Sequence, residues 1–511
     1  MLKWFAGRKP GHPWADLKQA EELLTSLPAS DPPRALEEIT RWAESVVRSE
    51  ELRLANRIGL IRQLDDAGQP FHRKVLRDYL AAPRAQKQEE QRLWTAAFHY
   101  WRQLTAGYAA CLAGAAEGTD AEGRHVLPLA VCRGIRAVGQ QLKWLQLRYG
   151  PIDDDLWAAL SAFYRFALER TLEGQAADLH SHVTGATDPD RELVKVLMLW
   201  AAAPDTLPPA LFEIAERLTA HFSPQFEIGR SRRGSTCHAF DLDGNRGPGR
   251  LGVAASVKRS MILFGAGAAL DDMEQVRAHL ERGALPPEID LGGIYRPGAV
   301  LEALNHLIRQ WAPNPPERRH LRHRVQARLA VINGLDRLVE EIVSSGNLGL
   351  AGIESWLIED ISASGFRATF PEMRPDWIRI GALVGIRPEG VERWGVGIIR
   401  RLARDRQNQG YVGVQTMAHE AVSVRLRPTS GRWGSPLKVD AQGCLPALRL
   451  KEFSPVRGEI VLAARSGFFS MHQGLEILGE AAGFHAEPLA LMERGEEFEI
   501  ARFRETRTGS R

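Results

Sequence analysis

Over residues 30–220 apolar side chains recur at helical spacing, whereas beyond residue 356 they alternate in short runs. Ser30-Asp31 followed by Pro32-Pro33 reads as a capped helix start, and Leu36, Ile39, Trp42 and Val46 then mark one face. Leu52, Ile58, Ile61 and Leu64 continue the pattern as far as Asp65-Asp66-Ala67-Gly68-Gln69-Pro70, a polar stretch that predicts a break before a new helix at Phe71–Leu80. Leu93, Trp94, Ala97, Trp101 and Leu104 form an aromatic stripe, and Ile135, Val138, Leu142 and Leu145 another; at helical spacing these read as core rather than as a ligand surface. Leu156–Leu172 and Leu193–Trp200 complete the set, with Gly150-Pro151 and Pro208-Pro209 as breakers. No fixed repeat period runs through them, so residues 1–222 are expected to form an irregular α-helical bundle rather than a solenoid.

From Phe226 the punctuation thickens. Short strand-like pieces at Cys237–Leu242 and Met261–Phe264, then helical stretches at Asp272–Arg282 and Gly298–Trp311, predict a small α+β linking module over 223–312. Pro313-Asn314-Pro315-Pro316 reads as a stiff linker. After it come Trp356–Glu359, Phe366–Phe370, Leu383–Arg387, Trp394–Arg401, Tyr411–Thr416 and Ala421–Leu426, short alternating runs that suit a small antiparallel barrel over 313–430. A β-rich extension over 431–511, most marked from Leu448 to Arg504, follows; the pattern leaves open whether it joins the barrel or stands as its own module. The fold class expected is therefore multidomain α+β.

Composition narrows the function. The chain has 511 residues, 44% hydrophobic and 25% charged, which is that of a folded protein of several domains. Sixty-six basic residues against 63 acidic ones give +3, so no global field draws the chain to nucleic acid or a membrane. Cys111, Cys132, Cys237 and Cys444 are too widely spaced for a zinc knuckle or redox pair and read as buried small residues in a reducing compartment. Met1–Phe5 is followed at once by Gly7-Arg8-Lys9-Pro10, and the longest apolar runs, Leu197–Ala203 and Met261–Leu270, fall far short of the ~20 residues of a membrane span. A cytoplasmic protein is expected.

Against this near-neutral background, Glu317–Arg328 holds five arginines and one glutamate directly after the proline linker. Taken alone it is a solvated basic segment or a phosphate-binding patch. Further on, Asp360-Ile361-Ser362-Ala363-Ser364-Gly365 ends an apolar strand, where taken alone it is a polar turn with Gly365 at positive φ. In this order the two segments resemble the PilZ domain family, whose signature is an R-x-x-x-R arm entering a six-stranded barrel, followed by [D/N]-x-S-x-x-G. Arg318 and Arg322 supply the first part, with Arg319 doubling it, and Asp360, Ser362 and Gly365 the second. Trp394–Leu402, the polar Asp405–Gly410 hairpin and Tyr411–Gln415 are similar to the family's closing hairpin. The resemblance covers about residues 316–428 and nothing outside them. Two features depart from the pattern: Arg324-x-x-x-Arg328 matches the arm as well, and Arg337–Gly352 reads as an insertion with a short helix through Leu338–Val343.

The resemblance implies a receptor for cyclic di-GMP, with no other cofactor and no metal. Arg318 and Arg322 would hold guanine and phosphate, Asp360 and Ser362 the other guanine edge, and Gly365 would shape the turn. The chemistry is apt, because an arginine fork bonds guanine O6 and N7 together or grips phosphate, while a carboxylate accepts the guanine N–H donors. The function expected is an effector that relays ligand binding to a protein partner through its helical region. The alternatives are a nucleotide-independent adaptor tied to pilus, flagellar or secretion machinery, and RNA binding through the arginine arm, for which the overall charge gives little support.

Other motifs carry less. His180-Ser181-His182 has no third metal ligand nearby and reads as a surface or capping pair. Asp241-x-Asp243-Gly244 lacks the twelfth-position glutamate of a calcium loop, and Gly265-Ala266-Gly267 lacks the third glycine of a dinucleotide site. No G-x-S-x-G, Walker lysine loop or H-E-x-x-H occurs, so no catalytic activity is expected.

Overall fold

The computed structural model describes residues 17–506 except 50, 51, 53, 83–85, 118–124, 181–184, 253, 254, 288, 315–319, 345–351, 371–376, 435, 436, 452–455 and 480–482. It divides into two compact units, Met1–Glu317 and Arg318–Arg511.

The first unit contains α1 (Leu17–Thr25), α2 (Pro32–Arg48), α3 (Leu54–Ala81), α4 (Lys87–Glu117), α5 (Leu127–Gln146), α6 (Asp154–Arg170), α7 (Pro189–Ala201) and α8 (Pro209–Phe222). Asp31 caps α2 by accepting from the Arg34 N–H, and two prolines fill its first turn, where a missing N–H goes unused. The expected face of α2 is buried through Leu36, Ile39 and Val46, and the α4 stripe through Leu93, Ala97, Trp101 and Leu104. Then β1 (Glu227–Gly229), β2 (His238–Asp241), β3 (Gly249–Arg250) and β4 (Met261–Gly265) form a sheet in the order β1-β4-β2-β3, followed by α9 (Ala269–Leu280) and α10 (Pro297–Trp311). Phe240, Phe264, Leu307 and Trp311 belong to the same apolar core as α2–α8. Trp311 Nε1 donates to the Met198 carbonyl at 3.0 Å, which ties the end of α10 to α7.

The break predicted at Asp65–Pro70 does not occur: α3 runs unbroken through Pro70. Tertiary contacts override the local signal. Asp65 is 2% exposed and accepts from Tyr108 Oη at 2.6 Å, from Gln69 Nε2 at 2.6 Å and from Arg133 Nη1 at 3.3 Å. Gly68 is required because the Tyr100 ring lies within 2.5 Å of where a Cβ would stand. The surface role expected for His180 is also overturned. Its ring is buried and Nδ1 lies 2.7 Å from Asp66 Oδ1, on which Arg133 Nη2 converges at 2.8 Å; His182 lies outside the described residues. Burial alone would raise the Asp66 pKa, but the His180 hydrogen bond and the Arg133 charge hold it below the usual carboxylate range. Tyr100 and Tyr108 are pushed well up by burial and by Asp65. A second buried group sets Lys143 between Glu213 and Glu216.

The second unit consists of two six-stranded closed barrels. The first contains β5 (His323–Asn333), β6 (Ile353–Ser362), β7 (Gly365–Phe370), β8 (Leu383–Pro388), β9 (Gly395–Arg404) and β10 (Gly410–Ala418), with α11 (Leu335–Val343) between β5 and β6. The expected insertion helix is thus present and begins three residues earlier. Leu329 and Val331, Trp356 and Ile358, and Phe366, Ala368 and Phe370 are buried at alternate positions, the period-2 signature of a filled barrel. The C-terminal extension closes a barrel of its own from β11 (Glu420–Pro428), β12 (Leu445–Lys451), β13 (Glu459–Arg465), β14 (Leu475–Leu478), β15 (Phe484–Arg494) and β16 (Phe498–Thr506). The strand predicted at Ala421–Leu426 forms, but it pairs with β12 and β14 rather than with the first barrel. Only His419 separates β10 from β11, so the chain passes between barrels without a turn to announce it. No helix among the described residues is long and apolar enough to cross a membrane.

Replacing Asp65 by Ala removes one of the two carboxylates that Arg133 pairs with and takes the acceptor from the buried Tyr108 hydroxyl. The change is expected to destabilise the helical unit by about 3–5 kcal/mol in urea denaturation. Acid should weaken the same unit. Burial, then the Lys143 charge, push His72 from 6.5 down to about 3, and its Nε2 accepts from Trp144 Nε1 at 3.0 Å. Because the folded pKa lies below the unfolded one, the unfolded chain binds the proton first and stability falls as pH drops from 6.5 toward 3. His72→Gln should flatten that fall by about 1.4 kcal/mol per pH unit in denaturation curves taken across the window.

Candidate functional site

The residues singled out by sequence converge on the outer wall of the first barrel. β6 carries one residue more than β7, with the register slipping between Ile358 and Asp360. Trp356 and Ile358 face the core, and strict alternation would send residue 360 inward as well. The extra residue, Glu359, turns Asp360 outward instead. Asp360 then lies opposite Arg324 of β5 on one side and Arg367 of β7 on the other. Arg367 stands between the buried Phe366 and Ala368, which fixes this row on the solvent face.

Arg322, just before β5, donates from Nη1 to Asp360 Oδ1 at 2.6 Å. The pair is partly exposed, with the arginine side chain 38% and the aspartate 21% accessible. An ion pair this open to water contributes little to stability and exchanges readily. Arg367 pairs with Glu359 at 3.3 Å, and its guanidinium lies 4.3 Å from the Tyr411 ring centroid. Tyr411, on β10, is held by its hydroxyl donating to Asp405 Oδ2 at 2.9 Å. The wall therefore presents Arg322, Arg324 and Arg367 with the carboxylates of Asp360 and Glu359 among them and an aromatic ring alongside. Arg328, the second residue of the alternative arm pattern, stands opposite Leu357 further along β5.

Ser362 and Gly365 close the β6–β7 hairpin, opposite each other in register. The Ser362 hydroxyl donates to the Gly365 carbonyl at 3.0 Å, and the Ser364 carbonyl accepts from the Thr416 N–H at 3.1 Å, which pins the hairpin to β10. Gly365 has φ +157°, and a Cβ there would lie 2.2 Å from the Val414 carbonyl oxygen. Close backbone approach, beyond turn shape, therefore requires the glycine. Arg318 and Arg319 lie outside the described residues.

Of the residues singled out by sequence, Arg322 bonds Asp360 from 38 positions away, and Ser362 and Gly365 face each other at the end of the same strand pair. Sequence reasoning missed Arg367 and Tyr411. Their signal was present, since both stand at outward-alternating positions of expected strands, but only the register shows which rows they share. Among the described residues no group of three or more His, Cys, Asp or Glu side chains is placed to hold a metal.

Two family models match the chain. Residues 353–422 match one described as cyclic-di-GMP receptor FimW, middle PilZ domain, and residues 18–232 one described as cyclic-di-GMP receptor FimW, N-terminal domain. The first match spans β6–β10 and the hairpin with Asp360, Ser362 and Gly365, while the arm and β5 precede it. The helical region, which the sequence left unassigned, is thus matched by a separate domain model under the same receptor name. No curated protein matches the chain.

Gly365→Ala should force β7 and β10 apart, lowering the thermal midpoint of the barrel unit by several degrees. Ser362→Ala should cost only about 1 kcal/mol, the worth of one hydrogen bond. Calorimetric scans of the two variants separate the roles.

Proposed function

From the premise that residues 353–422 form a PilZ domain, we propose that this protein is a cyclic di-GMP effector that binds its ligand on the outer wall of β5, β6 and β7. The observation that carries the reading is the Arg322–Asp360 pair, set in a row with Arg324 and Arg367. Cyclic di-GMP presents two phosphodiesters, which arginine forks grip, and two guanines, whose O6 and N7 an arginine bonds in the plane. Asp360 takes the guanine N–H donors, and Ser362 adds a hydroxyl at the hairpin. Gly365 keeps that hairpin close to β10. Arg318 and Arg319 complete the arm.

Without ligand, Arg322 and Asp360 satisfy each other. The ligand offers both a better partner, phosphate or a guanine acceptor edge for the arginine and guanine donors for the carboxylate, so binding exchanges an internal pair for external ones. Arg367, held over Tyr411, supplies a further cation at the same face. The arm follows directly on the Pro313–Pro316 segment at the division between the two units. Ordering of the arm is therefore read as the event that a protein partner senses through the helical region. A ligand shifts such an equilibrium only by binding one arrangement more tightly than the other. The reading places the protein in the cytoplasm.

Calorimetric titration of cyclic di-GMP into the full chain should show micromolar or tighter binding, abolished by the Arg318→Ala/Arg322→Ala double substitution. Asp360→Ala alone should weaken it by about tenfold to a hundredfold, the worth of charge-assisted hydrogen bonds. Absence of heat at high ligand concentration would overturn the receptor reading. Small-angle scattering with and without saturating ligand tests the relay, for which the two profiles must differ.

A further inference from the structure

The two barrels of the second unit have the same topology. In each, taking the strands in chain order as first to sixth, the first pairs with the second and fourth, the second with the third, the third with the sixth, the fourth with the fifth and the fifth with the sixth, every pair antiparallel. Strand for strand, β11, β12, β13 and β16 therefore correspond to β5, β6, β7 and β10, the four that build the outer row of the candidate site.

The corresponding wall of the second barrel has the opposite chemistry. Where the first carries Arg324, Asp360, Arg367 and Gly413 across its four strands, the second carries Ser423, Leu448, Ala463 and Ile500 in one continuous register. Leu448, Ala463 and Ile500 are fully buried, although they point away from the inner core formed by Leu445, Ala447, Leu462 and Ala501. β13 is consequently apolar on both faces, as a strand covered on both sides must be. The cover is the first barrel. Leu335, Leu338 and Val339 of α11, with Leu383, Val396 and Ile398 of β8 and β9, form one cluster with Leu448, Leu450, Val461, Phe498 and Ile500.

Details on both sides fit this seat. Gly385 of β8 leaves the space that Leu338 fills, since a Cβ there would lie 2.5 Å from Leu338 Cδ1. Arg465 of β13 donates from Nε to Asp336 of α11 at 2.9 Å. Arg400 of β9 reaches Glu493 of β15 through Nη1 at 3.0 Å and Nη2 at 2.6 Å. An arginine arm has no room before β11, because a single residue joins it to β10.

We propose that the C-terminal barrel is a second copy of the PilZ topology whose ligand wall has become the seat for helix α11 of the first, so that it positions the two strands bearing the site instead of forming a second one. The proposal rests on the receptor reading for the identity of that wall. α11 joins β5 to β6, and these strands carry Arg324 and Asp360. Holding α11 against β12, β13 and β16 thus holds both rails of the site, and the chain has one ligand wall, not two.

Amide exchange by mass spectrometry on the full chain tests the seat without ligand. Phe498→Ala in the second barrel should speed exchange in α11 and the β5–β6 peptides of the first at least tenfold. Gly385→Ala in the first, which displaces Leu338, should do the same to β12 and β13 of the second. Changes confined to the substituted barrel in the Gly385→Ala protein would overturn the proposal, and that variant decides if Phe498→Ala does not fold. The count of sites is tested separately by equilibrium dialysis with cyclic di-GMP. Arg457→Ala, in the turn before β13 that stands where Ser362–Gly365 stands before β7, should leave nucleotide bound per chain unchanged, and a fall would overturn the proposal. Should the unsubstituted chain take up no nucleotide, the receptor reading fails, and the exchange result alone decides whether the seat exists.

Discussion

One extra residue in β6 governs the polar face of the first barrel. Without Glu359 as a bulge, Asp360 would follow Trp356 and Ile358 into a core that has no partner for a carboxylate. With it, the charge emerges at the strand end, opposite Arg324 and Arg367 and within reach of Arg322. Everything ascribed to the site follows from that half-turn of the backbone. Arg322 is held by that carboxylate and Arg367 by Glu359 beside it, and the hairpin that follows is tight because Gly365 lets it press on Val414.

The second unit shows how one strand order serves two ends. A closed barrel has no free edge, so its chemistry resides on its outer wall and in its hairpins. In the first barrel four strands keep that wall charged and open. In the second the same four strands are apolar, and the wall disappears into an interface built on an inserted helix. The helical unit uses buried charge differently again. Arg133 holds Asp65 and Asp66 of α3 and the Leu179 carbonyl, from two segments, and Lys143 joins two glutamates of α8 to α5, so that elements far apart in sequence are fixed by direction as well as by apolar burial.

How far the sequence foretold this depended on whether the determining contacts were local. The N-cap at Asp31, the stripes of α2 and α4, the insertion helix, the alternating strands and the Asp360–Gly365 hairpin are written in short windows, and they formed as read. Asp65–Pro70 looked like a loop because the partners that bury its polar residues include Tyr100, Tyr108, Arg133 and His180, from segments that a local window does not contain. Arg367 and Tyr411 escaped for a related reason, since which strand residues stand side by side depends on register and bulges. The strand at 420–428 was legible as a strand, but nothing in its own residues names the barrel it joins.

The link between β10 and β11 has a mechanical consequence. β10 packs its Val414 carbonyl over Gly365 and presents Tyr411 to Arg367, and one residue later the chain is already the first strand of the other barrel. The Ala421 N–H donates to the Trp394 carbonyl across that joint at 2.8 Å. A single residue contributes only two soft torsions, and this one is clamped on both sides. The joint is a weld rather than a hinge, and a displacement of β10 is handed on undiminished instead of being absorbed as slack.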